Sequence, residues 1–96
     1  MISEGGPAVQ DSTRKDSLKR LRYIEGHLGG VRRMIEEDAY CVDILKQSFA
    51  VRRALEKLEQ LMLEGHLRCC VVEGIRDGRE EQVVGELSEL YELANR

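Results

Sequence analysis

Cys41, His66 and Cys70 constrain this chain more than any other feature, because only one long helix gives them a common direction. At ~100° per residue, His66 returns to within ~20° of the direction of Cys41, and Cys70 does the same. All three soft or borderline metal ligands then share one face. Yet the helix from Cys41 to His66 would span roughly 37 Å, far beyond the reach of one ion. An antiparallel partner is one simple resolution. Cys41 of one chain meets His66 and Cys70 of another, and the dimer holds two identical sites. The spacing therefore predicts a homodimer with a Cys₂His site shared across its interface.

The rest of the pattern supports helices. Leu18, Leu21, Ile24, Leu28, Val31 and Ile35 recur at spacings of three and four. Asp11, Ser12 and Thr13 offer N-caps for this first helix. Gly26, Gly29 and Gly30 interrupt it; they read either as permitting close helix approach or as marking a kink. Asp38 is the expected cap of a second, long helix. Val42, Leu45, Phe49, Leu55, Leu58, Met62 and Leu63 keep its rhythm, and His66 to Val72 continue it. Arg76-Asp77-Gly78 is a turn signal. A third helix is expected from about Arg79 to Ala94, with Val83, Val84, Leu87, Leu90 and Leu93 inward. No stretch sustains the two-residue alternation of a strand, so the expected class is all-α, with a three-helix protomer. Residues 1–12, with Gly5, Gly6 and the only proline, Pro7, read as a flexible arm, and residues 13–96 as one domain.

At 96 residues a lone core is modest, and association is a natural way to bury more surface. No apolar run approaches a membrane span, and Met1-Ile2-Ser3-Glu4-Gly5 does not read as a signal peptide, so a cytoplasmic address with no membrane partner is expected. Three cysteines are an odd number, which favours metal or thiol chemistry over a disulfide framework. The net charge of −3 argues against a nucleic-acid partner, but its distribution does not. From Ser12 to Arg33, seven Lys/Arg face only Asp16 and Glu25, whereas Val71 to Arg96 carries seven acids and three Arg. Such asymmetry fits a polyanion-binding first helix, or equally a solvated charged face.

His66 and Cys70 lie four residues apart, one helical turn, close enough to chelate one ion. Two thiolates and an imidazole favour Cu(I), or Zn(II) if a fourth ligand is added. Cys69 points ~80° away from the shared direction. It reads as a small buried apolar residue, or as a redox neighbour of Cys70 that would bridge only with strain. His27 has no evident role. Cys-x-x-Cys, Gly-x-Gly-x-x-Gly, phosphate-binding and His-Glu-x-x-His motifs are all missing, and three helices offer no readable substrate cleft, so an enzyme is not expected.

The run from Arg20 to Leu55, R-L-R-Y-I-E-G-H-L-G-G-V-R-R-M-I-E-E-D-A-Y-C-V-D-I-L-K-Q-S-F-A-V-R-R-A-L, and the later H-L-R-C-C-V resemble the CsoR/RcnR family of small all-helical bacterial repressors. The likeness extends from Leu18 to Leu93. It implies that the copper branch's Cys–His–Cys triad falls on Cys41, His66 and Cys70, with one Cu(I) per protomer. It also implies that Tyr40 and Glu86 hydrogen-bond towards the ligand His. The same resemblance implies an antiparallel dimer with a four-helix bundle core, a dimer of dimers, and operator DNA held without a helix-turn-helix. Arg20 and Lys57 are the carried-over DNA contacts; Lys15, Lys19 and Arg22 are added on charge alone. The expected function is Cu(I)-responsive repression, with DNA bound metal-free and a copper chaperone as an expected metal donor. A persulfide-sensing branch using only Cys41 and Cys70 is the alternative.

Overall fold

The computed structural model describes residues 10–96, and all the regular structure among them is helical. Helix α1 spans Asp11–Glu36 and α2 spans Cys41–His66. A π-helical turn, Leu67–Val71, runs directly into the short α3, Val72–Arg76. Helix α4, Glu80–Ala94, ends the chain. The segment from Cys41 to Arg76 is thus one helical rod with a single wide turn inside it.

Each junction has a local cause. Gln10 takes the α1 N-cap position without a side-chain bond, and Asp11 already lies in the first turn, where its charge suits the positive helix end and pairs with Arg14 at 3.2 Å. Asp11 and Ser12 therefore belong to the helix, not to the arm expected over residues 1–12; the rest of that arm up to Val9 lies outside the described residues. Thr13 is not a cap either. It is buried against α2, where a Cβ added at Gly65 would come within 2.7 Å of its Oγ1.

Asp38 does not cap α2. Its φ of 55° places it in the left-handed region, where it closes α1. Asp38 N–H donates to the Ile35 carbonyl at 3.2 Å, and Ala39 N–H to the Met34 carbonyl at 2.9 Å. This is the paired 5→2 and 6→1 ending of a helix, and Asp is one of the few non-glycine residues that tolerates it. Gly78, φ 77°, repeats the device after α3, with Arg79 N–H donating to the Gly74 carbonyl at 2.8 Å. The chain reverses there because glycine carries no Cβ penalty.

Helices α1 and α2 form an antiparallel hairpin. Thr13 lies beside Gly65 at one end, and His27 bonds Gln47 nearer the loop, with Nε2 and Oε1 2.7 Å apart. At the far end α4 folds back on α3, where a Cβ at Gly74 would lie 2.6 Å from a Val83 methyl. The three glycines of α1 play no such part within the protomer. Nothing lies within 4 Å of a Cβ at Gly26, Gly29 or Gly30, and α1 runs through them as one uninterrupted α-helix.

Among the described residues the buried apolar set is small: Ile24, Val51, Cys70, Val71 and Val83. Leu18, Leu21 and Leu28 on α1, and Val42, Leu45, Phe49 and Met62 on α2, are exposed instead. On α4 only Val83 is fully inward; Val84, Leu90 and Leu93, expected to face in, are exposed. Among the described residues α4 packs mainly on the short α3, which leaves these side chains open. The radius of gyration is 17.2 Å, against about 13 Å for a compact domain of this length. An elongated chain with this much open apolar surface calls for a partner.

Candidate metal centre

The three ligand candidates occupy the two ends of the rod. Cys41 is the first residue of α2 and is exposed. His66 is its last residue and is half-buried, while Cys70 sits in the π turn and is buried. Among the described residues no three His, Cys, Asp or Glu side chains gather closely enough to hold an ion. The separation of roughly 37 Å expected of a continuous helix explains this. The rod is continuous, as the shared direction requires, but it is not uniformly α. A π step turns the backbone by less than an α step, so Cys70 departs from the ideal phase. Such turns recur at functional sites.

Burial pushes the Cys70 thiol above its ordinary range. Cys69 adds to this twice, through its charge when ionised and through a hydrogen bond that favours protonated Cys70; Glu73 repels further, and Arg79 pulls the other way. Cys69 is therefore neither remote nor fully buried: it is a half-buried thiol in contact with Cys70. Sequence phase alone missed this.

Tyr40 and Glu86 do not reach His66 within the protomer. Tyr40 caps α2 through its backbone, its carbonyl accepting from Asp43 and Ile44 at 3.0 and 3.1 Å, and its side chain is 70% exposed. Glu86 is half-buried on α4. Neither side chain makes a hydrogen bond among the described residues.

The basic residues are better gathered. Arg20 and Lys57 line two grooves between α1 and α2. The larger, about 780 Å³, is also lined by Lys19 and Arg53, with Asp16 the one acid and Tyr23 and His27 completing the wall. None of these four cations forms an ion pair with another described residue. Arg53 was missed in the sequence; its position one turn before Lys57 could have pointed to it. Lys15 and Arg22 are exposed but outside the groove walls. The second groove reaches Glu64 and Leu67, which flank His66.

A helical hairpin with separated thiol and imidazole donors and a basic groove matches a known class. The family model for metal-sensitive transcriptional repressors matches residues 13–94, and the chain belongs to that family. Among its relatives is the copper-sensing transcriptional repressor CsoR of Mycobacterium ulcerans, 43% identical over 74 residues, covering 77% of this chain and 63% of that protein. The chain thus spans about three fifths of the mycobacterial relatives it matches. The CsoR of Bacillus subtilis is 40% identical over 83 residues, 85% of this chain and 82% of that one. Of solved structures, the copper-sensing repressor CsoR with Cu(I) from Geobacillus thermodenitrificans superposes with a TM-score of 0.91 at 33% identity, covering 99% of this chain and 100% of that chain. The nickel-responsive regulator InrS superposes at 0.70 and 36% identity, over 81% and 88%. No helix among the described residues is long and apolar enough to cross a membrane.

Proposed function

We propose that this protein is a Cu(I)-responsive repressor that holds operator DNA when metal-free and releases it when Cu(I) is bound. The single observation that carries this reading is the division of a soft Cys₂His donor set between opposite ends of one rod. Each protomer then brings two half-sites, and an antiparallel pair completes both. The donors fit the ion: two thiolates and one imidazole make a closed three-coordinate site that suits Cu(I), whereas structural Zn(II) sites take four ligands. The open leucines of α1 and α2 supply the surface for a four-helix core, and a second dimer would complete a tetramer. Such a regulator would work in the cytoplasm without an enzymatic step, and a copper chaperone would be a natural donor.

Arg20, Lys57 and Lys19 hold phosphates along the α1–α2 groove, with Lys15 and Arg22 adding charge beside it. His66 and Cys70 would hold the ion together with Cys41 of the partner subunit, which would tie the end of α2 to another chain. His66 uses one ring nitrogen for the ion and presents the other to an acceptor; Tyr40 or Glu86 fills that role once the chains are assembled. The groove walls around Arg20, Lys57 and Leu67 then change their mutual spacing, and the phosphate match is lost. A 100-fold drop in DNA affinity needs roughly 2.7 kcal/mol of coupling.

The test is an anaerobic Cu(I) titration of reduced protein bound to operator DNA, with a competing chelator. One Cu(I) per chain and release of DNA support the reading. A His66→Ala variant that releases DNA with copper as the parent does would remove the triad as trigger. Release by polysulfide alone, with an interchain Cys41–Cys70 cross-link, would favour the persulfide alternative.

A further inference from the structure

The copper reading uses Cys70 and leaves Cys69 idle. The two thiols are carried by adjacent residues of the π turn, Leu67–Val71. Cys69 is half-buried, so the pair is open on one side. Adjacent cysteines resist closing on themselves, because the dihedral and spacing that an S–S bond demands strain the backbone between neighbours. A disulfide within such a pair is strained and more easily reduced than one between better-spaced cysteines. An inserted soft atom relaxes that demand, because it holds two sulfurs farther apart than a direct bond does. Thiolate sulfur selects soft centres.

We infer that Cys69 and Cys70 form a vicinal dithiol site for trivalent arsenicals, built within one protomer and independent of Cys41. The reaction is a condensation. An organoarsenous acid, R–As(OH)₂, meets the two thiols; two As–S bonds form, two As–O and two S–H bonds break, and two waters leave. Arsenic stays trivalent, and no oxidant or reductant takes part. The site goes beyond copper sensing and does not depend on it. Because the two ligands share Cys70, each excludes the other from that protomer.

Phenylarsine oxide, added stoichiometrically to the reduced full-length protein, tests the assignment by intact mass and by counting free thiols. The parent is expected to gain one phenylarsenic unit per chain and lose two free thiols. Cys41→Ala is expected to do the same while losing Cu(I) uptake. Cys69→Ser, which nearly preserves side-chain size, is expected to bind the arsenical at least tenfold more weakly, and its circular dichroism reports that the helices remain. Prior arsenical loading should block Cu(I) uptake in the parent. Retention of the adduct by folded Cys69→Ser, or its loss in Cys41→Ala, would overturn the inference, since the bridged pair would then be Cys70 and the partner's cysteine. Weak Cu(I) uptake by the parent with the expected arsenical pattern would sink the copper reading and leave this one standing.

Discussion

The two ends of the rod differ in nearly everything except their donor atom. At one end Cys41 stands exposed, one residue beyond a short loop closed by a left-handed Asp38. At the other, Cys70 is buried beside Cys69 in a π turn that runs directly into α3, on which α4 packs. The basic groove also reaches this second end, through Glu64 and Leu67. Only the second end has the neighbours to hold a geometry on its own. The first is a donor waiting for someone else's pocket. On the proposed reading, a signal that joins the two crosses between chains before it reaches the groove.

The largest expected effect tests that division directly. Cys41→Ala and Cys70→Ala should each abolish tight Cu(I) uptake alone. Mixed and refolded together, they should recover about a quarter of the parent's sites, because each mixed antiparallel dimer keeps one intact site. No recovery in a chelator-competition titration would place all ligands in one chain.

At the groove, Arg20→Ala with Lys57→Ala should weaken operator binding and lower the salt slope by about 2 for each protomer in contact with the DNA, with Cu(I) uptake unchanged. Fluorescence anisotropy at several salt concentrations reads both. A change in copper uptake would mean that the groove and the buried end are not separable.

A pH series separates the cysteines by environment. Cys70 holds its proton above the ordinary thiol range, chiefly through burial, and metal binding needs the thiolate. Cu(I) affinity should therefore rise with pH, by at most about tenfold per unit for this one proton. Its effect on stability runs the other way. The fold favours protonated Cys70, so that contribution is full below the ordinary thiol range and is lost as pH rises through the raised value.

Two glycines compare packed with open backbone. Gly74→Ala drives a Cβ to 2.6 Å from a Val83 methyl, and should cost about 1–3 kcal/mol, less about 1 kcal/mol of helix propensity. Adding Val83→Ala should remove the clash, as read by urea denaturation. The smallest effect belongs to Gly26→Ala, where nothing lies within 4 Å and a gain of up to about 1 kcal/mol is expected. A loss there would place another chain against α1.

The helices were legible because their apolar spacing is a local signal, and the family was legible because its motifs are long. Boundaries were less so. Asp38 has the chemistry of an N-cap, and only the φ of 55° shows that it ends one helix instead of starting the next. Thr13 was likewise ambiguous until Gly65 appeared beside it. Inward positions on α4 were overcounted because periodicity marks an apolar face without saying which molecule covers it. For Cys69 the sequence left a buried apolar role and a redox neighbour of Cys70 both open; the structure makes it half-buried beside Cys70 in the π turn. The candidate triad was readable only as three directions on a rod, and a single protomer keeps it so.

In the proposed dimer, the sparse core would tie this protein's survival to its abundance. With so few side chains enclosed among the described residues, folding and association would become one equilibrium, and the melting temperature should climb with protomer concentration. Dilute chains would spend more time open to proteases than crowded ones. A cell that makes fewer copies would then lose a disproportionate share of them, so that the dose of assembled protein falls more steeply than its rate of synthesis.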